Sequence, residues 1–125
     1  MVMGASPRPH RFSHIATLRL LEAGFEVVPI GIHSGVIGGQ VIIDLKGQPA
    51  YADIHTVTMY LNRINQRSWY EYILKLRPER VIFNPGSENP ELYRLLFENE
   101  VVYLEACTLV MLATGSYYSG GIPLK

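Results

Sequence analysis

Apolar and polar residues alternate along this chain in short blocks that predict strands and helices in turn. Short apolar or β-branched runs are typical of buried strands, and apolar residues recurring at helical spacing indicate helices. Between Phe12 and Ala23, for example, Ile15, Leu18 and Leu21 share one helical face, and Gly24 then provides a helix stop. Strands are predicted at 1–3, 25–30, 40–44, 56–61, 80–84 and 101–104, and helices at 12–23, 66–76, 91–98 and 108–113.

The order of these elements predicts the fold class. Strand, helix and strand within the first thirty residues form a βαβ unit, whose strands are parallel and whose crossover is right-handed. Continued alternation predicts a three-layer α/β/α sandwich around a parallel sheet of about five strands. The crossover after residue 30 departs from the simplest pattern, because it is glycine-rich and shows only a short extra strand at 40–44.

Length and composition predict one globular domain. The chain has 125 residues, of which 48% are hydrophobic and 18% charged, values typical of an ordered domain. We expect the domain to span residues 1–118, followed by a C-terminal tail at 119–125. Eleven basic and eleven acidic residues cancel, so no overall field favours nucleic-acid binding. Positive charge is concentrated locally, at Arg8, His10 and Arg11.

The cysteine and histidine content and the lengths of the apolar runs indicate which bonds, metals and cellular location to expect. The single cysteine, Cys107, excludes an intramolecular disulfide and a cysteine-based zinc site, and the four histidines lack metal-ligand spacing. No apolar run approaches the ~20 residues that span a bilayer, and the start of the sequence does not resemble a signal peptide. We therefore expect a cytoplasmic protein that holds no metal ion and does not associate with a membrane. Tyr117 and Tyr118 suggest a surface for a partner subunit, so a homodimer is a hypothesis.

The predicted strand ends supply the candidate site, because ligands of open parallel sheets bind outside the carboxyl ends of the strands. The first of these ends, Gly4-Ala5-Ser6, lacks the full G-x-G-x-x-G fingerprint. Gly4 allows a tight turn, Ser6 offers a hydroxyl to a phosphate, and guanidinium groups pair with phosphate oxygens. On the residues alone, an ordinary turn flanked by solvated charges is an equally good interpretation. The other residues at the strand ends are Pro29, Ile30, Asn62, Asn84, Pro85, Gly86 and Cys107.

The residues at the end of the second strand indicate which of two classes of cofactor is expected, NAD or a ligand with more phosphate groups. A site for NAD needs an acidic residue there for the ribose hydroxyls. The run from Pro29 to His33 contains no carboxylate, which favours a ligand with additional phosphate charge.

Several segments together resemble the small, single-domain CoA-binding proteins, whose Rossmann-like domain also occurs in succinyl-CoA synthetases. The segments are Gly4-Ala5-Ser6 followed by Pro-Xaa-Xaa-Xaa-Xaa-Phe-Ser at residues 7–13, then residues 24–29, residues 84–91 and Glu105-Ala106-Cys107. The resemblance implies a five-stranded parallel sheet that binds CoA. It assigns the diphosphate to Gly4, Ser6 and Arg11, and the adenine to Pro29 and Ile30. The pantetheine arm would then run past Asn62 and the Pro85–Gly86 turn, and Ala5, Arg8, Ser13, Asn84 and Cys107 complete the expected binding residues.

We expect binding of CoA or an acyl-CoA without catalysis. Cys107 is the one reactive candidate, but a nucleophilic cysteine needs a base, and no histidine is near it in sequence. A mixed disulfide between Cys107 and CoA is a hypothesis that the absence of a CoA adduct in mass spectra of oxidised protein would contradict. The alternatives are an NAD(P)-binding oxidoreductase-like domain and an interaction protein that retains the fold without the ligand.

Overall fold

Strands and helices alternate along the part of the chain that the computed structural model describes, residues 1–118. The predicted tail at 119–125 lies outside the described residues. The strands are β1 (Val2–Met3), β2 (Pro29–Gly31), β3 (Val36–Ile37), β4 (Gln40–Val41), β5 (Ile43–Asp44), β6 (Thr56–Met59), β7 (Arg80–Phe83) and β8 (Val102–Glu105). The helices are α1 (Phe12–Glu22), α2 (Arg63–Gln66), α3 (Tyr70–Leu76), α4 (Pro90–Glu98) and α5 (Thr108–Thr114), with short 3-10 turns at Leu45–Gly47 and Arg67–Trp69.

Six of the strands form one parallel sheet in the order β5-β2-β1-β6-β7-β8. The chain adds strands on one side of β1 as far as β5 and then crosses to β6, so the strand order reverses between β1 and β6. β3 and β4 form a separate antiparallel hairpin. The predicted Rossmann-like α/β/α sandwich is confirmed, with six strands in the sheet where about five were expected.

Helices cover both faces of the sheet and divide the core in two. On one face, α3 and α4 bury Ile73, Leu76, Leu92 and Leu96 against the sheet. On the other face, α1 and α5 contribute Leu20 and Met111, among others. All residues of the neighbouring interior strands β6 and β7 are buried. Burial on both faces explains why these strands are recognisable in the sequence as continuous runs of apolar and β-branched residues.

The second crossover differs most from the sequence-based prediction. The predicted strand at 40–44 is divided at Ile42, whose N–H donates to the carbonyl oxygen of Gly35 at 2.9 Å. Its first half, β4, pairs back onto β3, whereas its second half, β5, joins the edge of the main sheet beside β2. β2 itself begins at Pro29, four residues later than predicted, because β1 offers only two residues for pairing.

The helical segment after β6 begins earlier than predicted. The predicted helix at 66–76 consists of α2, a 3-10 turn and α3, and it starts at Arg63. Asn62 caps it, since its side-chain oxygen accepts the N–H of Asn65 at 2.9 Å. Within residues 1–118, no helix is long and apolar enough to cross a bilayer.

Candidate functional site

The first turn, Gly4-Ala5-Ser6, lies between the ends of β2 and β6. The N–H groups of Gly4 and Ala5 both donate to the carbonyl oxygen of Ile30, at 2.9 and 3.0 Å. Gly4 has a φ of 99°, which L side chains rarely adopt, and a Cβ there would lie 2.9 Å from the backbone nitrogen of Leu61. Both the conformation and the space therefore require glycine at this position.

Gly31, at the end of β2, forms the other wall of this turn. A Cβ on Gly31 would lie less than 3.0 Å from the carbonyl oxygen of Ala5, closer than real Cβ contacts come. Ala5 is itself buried, so neither side of the contact has room to move. Gly31 thus fixes the distance between the first turn and β2, a role that its place in a glycine-rich segment of the sequence does not reveal.

The amino end of α1 follows this turn and has no side-chain cap. Its N-cap residue, Arg11, offers no acceptor to the helix, and the first helical turn contains no acidic residue. Within residues 1–118, the N–H groups of Phe12 and Ser13 donate to no acceptor. Free N–H groups and the positive end of a helix dipole favour an anion at this point.

The loop from the first turn to α1 carries exposed basic side chains on an ordered backbone. Arg8, His10 and Arg11 are exposed, and the N–H of Arg8 donates to the Ser6 hydroxyl at 3.2 Å. The Nδ1 atom of His14, a buried residue of α1, lies 2.9 Å from the Ser6 carbonyl oxygen, so Nδ1 is the protonated donor. His14 therefore holds the turn to the helix, and the arginines remain available to a ligand. Ser13 is buried beside it.

Pro29, the first residue of β2, and Ile30, the second, are both buried. The side chain of Ile30 belongs to the core under α3 and α4. The sheet also brings to the end of β2 an acidic residue that sequence reasoning missed, because β5 pairs Asp44 with Gly31. One oxygen of Asp44 already accepts the N–H of Lys46 at 2.9 Å. The long-range pairing of β5 gives no local signal in the sequence.

A buried glutamine joins the ends of β6 and β7. Gln66 is fully buried, and its Nε2 donates to the carbonyl oxygens of Leu61 and Ser87, both at 2.7 Å. Its Oε1 accepts from Asn89 at 2.8 Å. Gln66 therefore fixes the position of the segment that presents the exposed Asn62. A glutamine in a polar helical stretch gave no hint of this role.

Asn84 also connects strand ends, because its side-chain amide is fully engaged within the protein. Its Nδ2 donates to the Thr58 hydroxyl at 2.8 Å and the Met59 carbonyl oxygen at 3.0 Å, and its Oδ1 accepts the N–H of Thr108 at 2.8 Å. These bonds tie β6, β7 and α5 together beneath the turn that follows. The next two residues, Pro85 and Gly86, are exposed. Asn84 thus holds the exposed Pro85–Gly86 turn in place from below.

Cys107 is half-buried at the start of α5. Within residues 1–118, no hydrogen bond joins its thiol to a histidine. Tyr60, at the end of β6, lies near Cys107 and Thr108, and burial raises the pKa of Tyr60 to about 12, although hydrogen bonding to Thr58 and Thr108 acts in the opposite direction. Tyr60 is therefore a neutral hydroxyl at physiological pH.

The structure brings most of the sequence-predicted residues to one edge of the sheet. The first turn, the amino end of α1, Asn62, the Pro85–Gly86 turn and Cys107 all lie at the carboxyl ends of the strands, on both sides of the point where the strand order reverses. Ile30, Asn84 and Ser13 lie at the same edge but are buried. The fold and this edge define a Rossmann-like α/β protein with a glycine turn and an uncapped helix start where the strand order reverses.

The chain belongs to the CoA binding domain family, since the family model matches residues 1–113. It is similar to the crystal structure of a protein described as uncharacterized, with 45% sequence identity and a TM-score of 0.88 over 91% of this chain and 93% of that chain. No curated protein matches it.

Two less similar structures support the fold alone. One is a Thermus thermophilus protein, cell-free ID.343, at 21% identity and a TM-score of 0.78, over 90% of this chain and 85% of that one. The other is a conserved hypothetical protein from Pyrococcus furiosus, at 24% identity and a TM-score of 0.76, over 87% and 94% of the two chains.

Proposed function

We propose that this protein binds CoA or an acyl-CoA at the carboxyl edge of its sheet, as a single domain of residues 1–118 without catalytic activity of its own. The observation that carries the proposal is the uncapped amino end of α1 beside the Gly4 turn. Two free N–H groups, the positive end of a helix dipole and the exposed Arg8 and Arg11 all belong to one short segment, residues 8–13. A diphosphate suits such a place, because its charge is distributed over several acceptor oxygens.

The rest of the edge suits the other parts of CoA. For the adenine, two apolar side chains are exposed at this edge: Phe12 at the start of α1 and Ile32 directly after β2, with 70% and 51% of their surface exposed. An aromatic face such as that of Phe12 favours contact with a planar base. For the pantetheine arm, Asn62 and the Pro85–Gly86 turn offer polar and backbone contacts beyond the point where the strand order reverses.

One observation favours a second candidate, an NAD(P)-type dinucleotide. Asp44 lies beside Gly31 at the end of β2, near where a dinucleotide site needs its acid. However, one oxygen of this carboxylate already caps the 3-10 turn at Leu45–Gly47. The capping contact and the family membership favour CoA over NAD, and we retain NAD as the competitor to be tested.

Ligand-dependent stability separates these candidates. Thermal unfolding and calorimetry with CoA, dephospho-CoA, NAD and NADP are expected to show stabilisation by CoA of about 2.7 kcal/mol at a hundredfold excess over Kd. Dephospho-CoA should bind less tightly, by roughly tenfold or more, because it lacks a charge-assisted contact. Tighter binding of NAD would refute the proposal, and no response to any of the four compounds would favour an interaction protein.

Arg11 provides the site-specific test. Arg11→Ala is expected to weaken CoA binding by roughly tenfold with little change in stability, since an exposed charged contact is lost. The matched control is Arg19→Ala in the last turn of the same helix, where the side chain is exposed and its one ion pair within residues 1–118 is a long contact of 3.9 Å with Glu22. Unchanged affinity in Arg11→Ala would remove this residue from the site.

A further inference from the structure

A cleft lies at the opposite edge of the sheet from the proposed CoA site, where the strands begin. This cleft has a volume of about 500 Å³ and is lined by residues at the amino ends of four strands, including Met1, Thr56 and Arg80. Apolar and aromatic side chains form much of its wall, among them Phe25, Val27, Tyr51, Ile54 and Tyr117. Its size lies within the range of small-molecule sites.

Arg80 is the unusual residue of this cleft, because it begins the interior strand β7 and is only 2% exposed. Its Nε donates to the Thr56 hydroxyl at 2.8 Å, and its Nη2 donates to the Tyr117 carbonyl oxygen at 3.0 Å. The guanidinium carbon also lies 4.5 Å from the centre of the Tyr117 ring. Within residues 1–118, its Nη1 is the one buried side-chain nitrogen or oxygen without a hydrogen-bond partner.

No carboxylate among the described residues pairs with the charge of Arg80, and the Tyr117 ring and carbonyl oxygen compensate it only in part. A guanidinium remains protonated in proteins, and no carboxylate within residues 1–118 forms an ion pair with it at 4.0 Å or less. His55 at the cleft lies 3.7 Å from Glu79, and Glu26 and Asp53 are exposed at the rim. The amino group of Met1 donates to the Thr56 carbonyl oxygen, and burial lowers its pKa to about 5. A buried charge that is only partly compensated is costly unless a partner completes it.

We propose that this cleft binds a small monocarboxylate with an aromatic or apolar body, whose carboxylate accepts a hydrogen bond from Nη1 of Arg80. A single unpartnered donor suits one carboxylate oxygen. Glu26 and Asp53 at the rim disfavour a polyvalent anion such as phosphate, and the apolar wall receives the body of the ligand. Nη1 is out of contact with bulk water, so a ligand that reaches it displaces part of the cleft wall. This site is separate from the CoA site proposed at the other edge.

The probes are benzoate, its uncharged isostere benzamide, and inorganic phosphate. Calorimetry with the full chain is expected to show benzoate binding at least tenfold more tightly than either of the others. Arg80→Met should weaken benzoate binding at least tenfold, whereas the control Arg94→Met, an exposed position on α4, should leave it unchanged. In the wild-type protein, NMR of the Arg80 side-chain Nε–H should show a shift that saturates with benzoate, a readout that does not depend on the variant folding.

Four results would overturn the proposal. They are no binding of benzoate to the wild-type protein, equal binding by Arg80→Met, tighter binding of phosphate or benzamide, and a benzoate titration that leaves the Arg80 resonance unmoved. The first of these results can be followed up with a variant that ends at Tyr118. If benzoate binds only after this truncation, residues 119–125 compete for the cleft, and the proposed free ligand is wrong.

Discussion

Replacing Gly31 by alanine tests how closely the first turn must approach β2. The added Cβ would lie less than 3.0 Å from the Ala5 carbonyl oxygen and 3.2 Å from its nitrogen, and both are backbone atoms that cannot rotate away. Overpacking of this kind costs about 1 to 3 kcal/mol. Displacing the turn also weakens the bonds from Gly4 and Ala5 to Ile30, each worth about 0.5 to 1.5 kcal/mol. We therefore expect a loss of about 2 to 5 kcal/mol in the free energy of unfolding.

Chemical denaturation and thermal unfolding measure this loss, with an expected fall in Tm of roughly 10 °C or more for a chain of this size. CoA binding should weaken at least tenfold, because the phosphate turn moves with the backbone. Gly47→Ala is the matched control, since a Cβ there meets no atom within 4 Å, and its stability should stay within about 1 kcal/mol of the wild type. If Gly31→Ala is as stable as Gly47→Ala and binds CoA like the wild type, the proposed close packing of the first turn is refuted.

Three further changes test other parts of the site. Asn84→Ala should lower the free energy of unfolding, measured by urea titration, by about 2 to 4 kcal/mol, because it leaves buried groups of three elements unpaired. The control Asn65→Ala, at an exposed position, should lower it by less than about 1 kcal/mol. Similar losses in the two variants would contradict the role of Asn84. Tyr60 keeps its proton up to a pKa of about 12 in the folded protein against an ordinary value of 10.0, so the unfolded state releases this proton first and stability falls between pH 10 and 12. Tyr60→Phe should remove about 2 to 3 kcal/mol of that fall, and an unchanged pH profile would refute the shift. Gln66→Leu releases the ends of β6 and β7 from each other. We therefore expect a larger fold-change in CoA affinity, measured by calorimetry, than in the folding rate, measured by stopped-flow refolding. Unchanged affinity would limit Gln66 to a structural role.

Elements whose signal is local could be predicted from the sequence. α1 was predicted to within one residue of its end because its apolar spacing and the following Gly24 are both local features. β6 and β7 were recognisable because strands buried on both faces must be apolar or β-branched throughout. The turn at Gly4 was correctly located at a strand end, since a short apolar run, a glycine and a helical pattern follow each other there.

Features that depend on distant partners could not be predicted. Nothing near residue 42 indicates that the strand divides, with one half pairing to β3 and the other to β2. The acidic residue beside Gly31 was missed for the same reason, because Asp44 reaches that position only through the pairing of β5. Arg80 was placed in a strand from the sequence, but its burial without a carboxylate partner depends on α5 and the chain that follows it.

One of the two shortest strands of the sheet, β1, lies at its centre, and its length limits how firmly the two halves of the sheet are joined. β1 contributes only Val2 and Met3, so the half containing β2 and β5 is joined to the half containing β6, β7 and β8 through very few hydrogen bonds, among them those from the N–H groups of Thr58 and Tyr60. The junction between the two halves, at β1 and β6, lies next to the Gly4 turn. A ligand that contacts the first turn on one side and the Pro85–Gly86 turn on the other would link the two halves. Amide hydrogen exchange at Thr58 and Tyr60 should therefore slow when CoA binds, whereas amides at the outer edge of β8 should exchange as before.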